Sequence, residues 1–409
     1  AATQIEGGQL DTNWHRWAAA GRIKDGSSPA RACDHWNRVF EDIDLLVELG
    51  IKHYRMGIEW ARVEPDPGQF DRDAIQHYRD EVAALRAAGI APLVTIHHFN
   101  LPGWLVDSGG WLGPDIRVAF GRLTRLLVTE LGSWVEEWIP INEPNIYATH
   151  GFLYGEWPPG ERSAIKALRV MQVEAEVHIA AYQMIHALQP QAKVGSASHL
   201  RAFAPADARN PLHRLASAGG EYLFQRALLK AMNTGRFDPP FVRPSGVVPG
   251  RYYDFQGVNY YSRSTVRSIG DGVADGVPVN DLGWEIYPAG IIEVCRWIHE
   301  AYPSPIYITE NGTCDNSESF RSRYLYDHLS QIAASELPIQ RYYHWCFTDN
   351  WEWAEGEVPK FGLVGLDYQT QERTIKDSGR FFADIIANSG VTQAAFERWV
   401  ADQQYRTNS

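Results

Sequence analysis

The chain has 409 residues, of which 44% are apolar and 22% are charged, an ordinary globular composition that disfavours long disordered tracts. Its 50 acidic side chains outnumber 38 Lys and Arg, and the net charge of -12 disfavours nucleic acid or an anionic membrane surface as the main partner. No apolar run has the length of a membrane span, and no basic segment followed by an apolar stretch indicates a signal peptide.

Short β-branched runs alternate with longer helical patterns, which predicts βαβ units around a parallel sheet. The first helix is predicted between Asp34 and Gly50, where apolar residues recur at helical spacing. The predicted strands are Ile51–Ile58, Ile90–Ile96, Trp134–Ile141, Lys193–Ala197, Tyr253–Val258, Ile306–Ile308 and Gln340–Cys346. The other predicted helices are Ala74–Ala88, Pro114–Leu131, Ala164–Leu188, Glu221–Met232, Ala289–Ala301 and Phe320–Ala334.

These strands number seven, whereas a closed (β/α)8 barrel contains eight. Only Ala1–Gln4 remains ahead of the first turn, so the eighth strand is predicted there, in a form that looks clipped. The segments Ala202–Gly220 and Ser262–Trp284 lack periodicity and are predicted to be surface loops. The predicted fold class is therefore α/β, a single (β/α)8 TIM barrel that forms one catalytic domain over residues 1–409.

Polar side chains follow several of the predicted strands, at the face where the loops of a parallel barrel converge. Two carboxylates stand out because each directly follows an apolar strand, Glu143 after Ile141 and Glu310 after Ile308. Cleavage of a glycosidic bond needs such a pair, one to protonate the leaving oxygen and one to attack or stabilise the anomeric carbon. A single glutamate at a strand end is more often a salt-bridged or capping residue. Two such glutamates with these neighbours favour a catalytic role. The same face is predicted to carry Gln4, Arg55, His97, His98, Asn142, Asn259, Tyr261, Trp345 and Glu352.

The sequence resembles glycoside hydrolase family 1, the retaining β-glycosidases, in seven motifs that occur in the family's order. The motifs are Gln4–Gly7, Tyr54–Trp60, His98–Pro102, Ile141–Asn145, Gly257–Tyr261, Ile308–Gly312 and Asp349–Trp353. The resemblance implies a β-glucosidase-like retaining enzyme in which Glu143 is the acid/base and Glu310 is the nucleophile. It also implies that Arg55 and Tyr261 hold the nucleophile, and that Asn142 contacts the sugar 2-hydroxyl.

The resemblance further implies which residues bind the sugar. The implied set is Gln4, His98, Asn142, Asn259, Trp345, Glu352 and Trp353. Within it, Trp345 is expected beneath the sugar ring, and Glu352 is expected to accept bonds from neutral hydroxyls while repelling a phosphate. The expected partner is a small non-phosphorylated β-glucoside or short oligosaccharide, with β-galactosides and β-fucosides left open.

No cofactor is expected. The adjacent histidines His97 and His98 could suggest a metal, but no third ligand shows usable spacing, so no metal site is predicted. The four cysteines are far apart and include no Cys-x-x-Cys pair, which favours a reducing compartment. With no signal peptide visible, the expected location is cytoplasmic, and the oligomeric state stays open.

Several positions depart from the family pattern. Phe99-Asn100 replaces the more usual Trp-Asp, Trp351 replaces a more usual Phe, and the chain around Ala202–Gly220 and after Glu310 looks short. The preference for the leaving group therefore does not follow from the resemblance. Two other functions stay open, a non-catalytic sugar-binding relative and a mainly transglycosylating enzyme. A barrel of aldolase type is disfavoured because no strand-end lysine or Gly-rich phosphate loop is evident.

Overall fold

Seven parallel strands form a nearly closed barrel at the centre of the part of the chain that the structure describes. A computed structural model describes residues 1–268 and 271–408. Each barrel strand pairs in parallel with the next one along the chain. The strands are β1 His53–Gly57, β2 Ala91–His97, β3 Glu137–Ile141, β4 Lys193–Pro205, β5 Phe255–Val266, β6 Ile306–Asn311 and β7 Ile339–His344.

The interior of the barrel is filled by side chains. One buried cluster takes a residue from each of six strands, namely Leu93, Ile139, Ala197, Phe255, Tyr307 and Tyr343. The rings of Phe255 and Tyr307 stack with their centroids 4.2 Å apart. Helices cover the outer face, so a strand such as Ala91–His97 is buried along nearly its whole length. Burial on both faces explains why these strands are continuous apolar runs in the sequence.

Helices surround the barrel, and their ends follow local signals. The longest, Ala164–Leu188, begins after Ser163, whose hydroxyl accepts a hydrogen bond from the backbone N–H of Lys166. The other α-helices are Ala2–Ile5, Asn13–Ala19, His35–Glu48, Trp60–Val63, Arg72–Ala87, Gly103–Asp107, Ile116–Leu131, Pro144–Ala148, Pro211–Glu221, Ala227–Thr234, Gly290–Ala301, Arg321–Ala333, Asp377–Asn388 and Gln393–Trp399. In the described ranges, no helix combines the length and the apolar composition required to cross a membrane.

Shorter elements complete the chain. The segments Thr149–Tyr154 and Tyr222–Arg226 are π-helical, and Gly110–Leu112 and Trp353–Glu355 are 3-10 turns. The remaining short strands are Asp271–Gly272, Pro278–Val279, Val364–Leu366, Arg373–Ile375 and Arg406–Thr407. All four cysteines are buried free thiols.

The prediction that Ala1–Gln4 supplies an eighth strand is wrong. Residues Ala2–Ile5 form a helical turn, in which the backbone N–H of Glu6 donates to Ala2 O at 2.9 Å. Within the described residues no strand lies between β7 and β1. A cavity of about 250 Å³ is lined by both strands, among others by Tyr54 and Tyr343. The other seven predicted strands and the barrel class are confirmed.

The two predicted loops contain regular structure. Strand β4 continues to Pro205, and Pro211–Glu221 is a helix, so most of Ala202–Gly220 is not a loop. Strand β5 likewise extends into the predicted loop Ser262–Trp284, of which residues 269 and 270 lie outside the described ranges. Long pairing between β4 and β5 stabilises these extensions, and this tertiary effect overrides the weak local pattern.

Candidate active site

The carboxyl ends of the barrel strands open into one cavity of about 550 Å³. The predicted site residues that line it are His98, Glu143, Tyr261, Glu310, Trp345, Glu352 and Trp353. The four others, Gln4, Arg55, Asn142 and Asn259, lie behind this wall and are hydrogen-bonded to it. The structure therefore brings all eleven predicted residues together.

Glu310 lies in β6, next to Asn259 of β5 in the strand register. Its Oε1 accepts a hydrogen bond from Arg55 Nη1 at 2.5 Å, and its Oε2 accepts one from the Tyr261 hydroxyl at 2.6 Å. The same guanidinium nitrogen also donates to the carbonyl of Thr309 at 3.1 Å. The carboxylate is therefore fixed through both oxygens, with a permanent cation beside it.

Glu143 follows β3 and has a left-handed backbone, with φ at 40°. This conformation is unfavourable for a residue with a Cβ, so surrounding bonds must hold it. Its N–H donates to Ala197 O at 2.7 Å, and Pro144 begins a helix directly after it. The side-chain Oε1 contacts Asn259 Nδ2 and His199 Nδ1, each at 2.9 Å.

Asn142 bridges the residues that hold the two carboxyl groups, Arg55 beside Glu310 and Asn259 beside Glu143. Its Oδ1 accepts from Arg55 Nη2 at 2.6 Å and from Asn259 Nδ2 at 3.1 Å. Its Nδ2 donates to His98 Nε2 at 3.0 Å. Because the amide nitrogen is the donor, the ring nitrogen of His98 must be the acceptor, and burial also lowers the pKa of this histidine. Both observations indicate a neutral His98.

The two carboxyl groups differ electrostatically. Burial raises the pKa of Glu143 to about 7, and the Asn259 hydrogen bond and the charge of Arg55 only partly oppose this rise. Burial also raises the pKa of Glu310, but the charge of Arg55 and the hydrogen bond from Tyr261 oppose it. Glu310 is thus paired directly with a cation, whereas Glu143 is bonded to neutral donors.

The other residues implied in sugar binding are grouped around Glu352 and His98. Gln4 Nε2 donates to Glu352 Oε2 at 3.2 Å and to Asn350 Oδ1 at 3.0 Å. The ring of His98 lies 5.7 Å from that of Trp345 and 5.8 Å from that of Trp353, centroid to centroid. This arrangement leaves polar edges and flat ring faces around one volume, as sugar recognition requires.

Glu352 has a strongly perturbed carboxyl group. Burial raises its pKa to about 8; the positive N-terminal amino group and a hydrogen bond from Trp345 oppose the rise, and the negative charge of Glu310 adds to it. The carboxyl group is therefore largely protonated near neutral pH. The repulsion of a phosphate by Glu352 stays a prediction, and the raised pKa of this carboxyl group predicts that the repulsion strengthens as pH rises.

His97 has no metal-binding environment. Its ring packs against the rings of Trp111 at 5.0 Å and Tyr147 at 5.8 Å, and burial lowers its pKa to about 3. Among the described residues, no cluster of three or more His, Cys, Asp or Glu side chains could hold a metal ion.

Two neighbours of Glu143 were missed in the sequence. His199 contacts Glu143, and Arg201 Nε donates to His199 Nε2 at 3.1 Å. Both lie on β4 beyond Ala197, where the predicted strand ended, so they were not placed at a strand end. The signal available was the alternation of polar and apolar residues from His199 to Ala202, which continues the strand.

The departures from the family pattern have local structural roles. The ring of Phe99 packs against the rings of Trp157 and Trp353, with centroids 5.0 Å and 5.3 Å away. Its backbone carbonyl accepts hydrogen bonds from Asn13 at 2.9 Å and from the indole of Trp14 at 3.0 Å. Asn100 Nδ2 donates to Glu59 Oε1 at 2.8 Å. These bonds fix the loop that carries His98.

Comparison with known proteins supports the same class of site. The sequence matches the family model of glycosyl hydrolase family 1 over residues 1–241 and 250–391. β-Glucosidase A of Thermotoga maritima is 32% identical, with 96% of each chain covered. The solved structure of the β-glucosidase from that organism in complex with glucoimidazole has a TM-score of 0.89 and 31% identity, covering 96% of this chain and 97% of that one. Its complex with galacto-hydroximolactam gives the same identity, coverage and TM-score.

The barrel, the cavity and these matches define the class of the molecule, a glycoside hydrolase built on a (β/α)8 TIM barrel. The chain belongs to glycosyl hydrolase family 1.

Proposed function

We propose that this chain hydrolyses non-phosphorylated β-glucosides with retention of configuration, with Glu310 as nucleophile and Glu143 as general acid/base. The observation that supports this most strongly is the unequal pairing of two buried carboxyl groups that face one cavity. Glu310 is held by a guanidinium and a phenol, and Glu143 has a pKa of about 7. A nucleophile must be ionised, whereas an acid must keep its proton near working pH.

The reaction proceeds in two displacements. In the first, Glu310 attacks the anomeric carbon while Glu143 gives its proton to the leaving oxygen. The bond that forms neutralises Glu310, which removes one of the charges beside Glu143. In the second, Glu143 takes a proton from water, and the water oxygen displaces Glu310 from the sugar. Arg55 and Tyr261 hold Glu310 for attack, and Asn142 is positioned for the 2-hydroxyl.

The substrate assignment rests on His98 and Glu352, which line the cavity, and on Gln4, which is hydrogen-bonded to Glu352 from behind. These side chains offer donors and acceptors suited to neutral hydroxyls, and Trp345 provides a flat face for the ring. The Thermotoga maritima enzyme is described in complex with both glucoimidazole and galacto-hydroximolactam. That pair of ligands supports extending the proposal to β-galactosides. β-Fucosides are included in the same assay as a further candidate substrate.

The test is a panel of nitrophenyl β-glycosides with the purified chain, followed by proton NMR of the first sugar formed. We expect release of the β-anomer from the β-glucoside. In Glu310→Gly, turnover is lost and external azide restores it on an activated substrate, giving the α-glucosyl azide. Glu174→Gln is the matched control, since Glu174 is fully buried on a helix away from the cavity.

Three outcomes contradict the proposal. An α-anomer as first product indicates inversion, and full activity in Glu310→Gly removes it as nucleophile. No turnover of any glycoside, with sugar still bound, indicates a non-catalytic relative. The same reaction at high glucoside concentration separates hydrolysis from transglycosylation, because transfer gives disaccharides in place of glucose.

A further inference from the structure

A hydrogen-bonded chain leads from the rim of the cavity to the acid/base of the proposed mechanism. Arg201 Nε donates to His199 Nε2 at 3.1 Å, and His199 Nδ1 lies 2.9 Å from Glu143 Oε1. We propose that Arg201 and His199 are positioning residues that fix the protonation state and orientation of Glu143. This inference rests on the proposed role of Glu143 as acid/base.

The strand places both side chains on the same side. His199 and Arg201 are two residues apart in β4, so they project in the same direction. The pairing of β4 with β5 shifts register between Leu200 and Ala202. The extra residue of this bulge is on β5, between Tyr260 and Arg263, so the two-residue alternation of β4 is kept. The backbone N–H of Arg201 donates to Gln225 Oε1 at 3.1 Å, which ties the strand to the next helical segment.

The tautomer of His199 follows from its neighbour. A guanidinium is always protonated and can only donate, so Nε2 of His199 must be the acceptor. The proton of the neutral ring therefore sits on Nδ1 and is donated to Glu143. Burial and the charge of Arg201 both lower the pKa of His199, which disfavours a second proton on the ring. The ring also stacks on Tyr261, with centroids 5.8 Å apart.

These contacts determine which oxygen of Glu143 carries the acidic proton. Its Oε1 accepts two bonds, from Asn259 and His199, so the carboxyl proton is placed on Oε2. A protonated His199 would instead stabilise the carboxylate and remove the proton needed by the leaving group. By keeping His199 neutral, Arg201 preserves the acid form of Glu143, although its own charge acts in the opposite direction.

Other charged or titratable groups also face Glu143, and the test must separate their effects. They are Arg55 of β1, Tyr261 of β5, Glu310 of β6 and Glu352 after β7. His150 lies at the rim and is sensitive to the charge of Arg201. None of these is altered in the variants below.

The first measurement compares leaving groups in His199→Phe. A dinitrophenyl glucoside needs little acid assistance, whereas an alkyl or phenyl glucoside needs much. We expect kcat/KM to fall about tenfold on the poor leaving groups and little on the dinitrophenyl substrate, which is part of the 10²–10⁴-fold that acid catalysis contributes in full. Because a neutral donor to the carboxylate is lost, the alkaline limb of the pH profile should move to higher pH. His186→Gln, which breaks a His–Asp254 pair outside the cavity, is the control.

The second measurement reads the tautomer directly by nitrogen-15 NMR of the histidine rings in the intact chain. The wild type should show neutral His199 protonated at Nδ1 at acidic pH. Arg201→Met removes the donor to Nε2, so its ring should show a fraction protonated at Nε2 and lose activity on poor leaving groups, and Arg201→Lys should recover part of that activity. This reading does not depend on whether His199→Phe folds.

Failure of this inference differs from failure of the proposed function. If Glu143→Ala shows the leaving-group dependence but His199→Phe loses activity equally on all substrates, or not at all, His199 is not a positioning residue. An Nε2-protonated or charged ring in the wild type overturns the inference as well. If Glu143→Ala itself shows no leaving-group dependence, the acid/base assignment fails first.

Discussion

Removal of Arg55 isolates the electrostatic basis of the proposed nucleophile. The Arg55–Glu310 pair is buried, with side chains 7% and 5% exposed, and its N–O distance is 2.5 Å. Breaking such a pair leaves an uncompensated buried charge and costs about 3–5 kcal/mol. In Arg55→Met, Glu310 loses the cation that opposes the effect of burial on its pKa. The carboxyl group should therefore hold its proton to higher pH.

The expected loss of kcat/KM follows from the free energy of this ion pair. At about 1.4 kcal/mol for each factor of ten, a transition state that loses the same 3–5 kcal/mol of electrostatic stabilisation at Glu310 would lower kcat/KM about 10²–10⁴-fold. The nucleophile acts as the carboxylate, so activity is lost as pH falls through its pKa. A higher pKa moves this acidic limb of the kcat/KM profile to higher pH.

The assay is the pH profile of kcat/KM on a nitrophenyl β-glucoside, with thermal unfolding measured in parallel. Arg122→Met is the matched control because Arg122 Nε donates at 2.6 Å to Glu64, a fully buried carboxylate outside the cavity. We expect the control to lose stability without moving the acidic limb. An Arg55→Met enzyme with unchanged kcat/KM and an unchanged limb would refute the reasoning.

Two further predictions concern buried ionisable groups. Glu352→Ala should lower kcat/KM on unsubstituted glucosides by about 10–10²-fold, since hydrogen bonds to a group that can be charged contribute about 1.5–3 kcal/mol. Because the pKa of Glu352 is about 8, wild-type discrimination against a 6-phosphoglucoside should strengthen as pH rises through that value, and a preference for the phosphorylated substrate would contradict the assignment. Burial opposes the charged form of His35, yet its hydrogen bonds to Asp42 and Glu81 raise its pKa to about 10. Its folded-state pKa exceeds the unfolded value of about 6.5, so its stabilisation is full below that pH and is lost as pH rises through about 10. The unfolding free energy of His35→Gln should therefore fall about 3–5 kcal/mol below wild type near neutral pH, and a gap in urea titrations that has not narrowed between about pH 7 and pH 10 would contradict this.

Much of the barrel could be predicted because its strands and helices have strong local patterns. Helix Ala164–Leu188 has the bounds that the sequence predicted, since Ser163 provides a clear cap. Glu143 and Glu310 were predictable as a pair because each follows an apolar strand, and parallel strands end on one face. Their hydrogen-bond partners were not, because the bonds join residues far apart in sequence.

Two errors have the same physical origin, that pairing in a sheet is a tertiary interaction. Ala1–Gln4 is too short for periodicity to distinguish a strand from a turn. Its backbone hydrogen bonds are made within a helical turn and not to a neighbouring strand. Strand β4 continues past Ala197 because it pairs with β5, although Ser198 and His199 interrupt the apolar run. That early predicted end is why His199 was overlooked.

The central claim, that Glu310 becomes covalently bonded to the sugar, can be tested by trapping. A 2-deoxy-2-fluoro-β-glucosyl fluoride reacts in the first displacement, and its glycosyl-enzyme hydrolyses slowly because the fluorine destabilises the positively charged transition state. Intact mass spectrometry followed by peptide mapping locates the sugar. We expect one fluoroglucosyl group per chain, attached to Glu310, with activity lost in step with labelling. An active enzyme that gains no label, or a label on any other residue, would contradict the account.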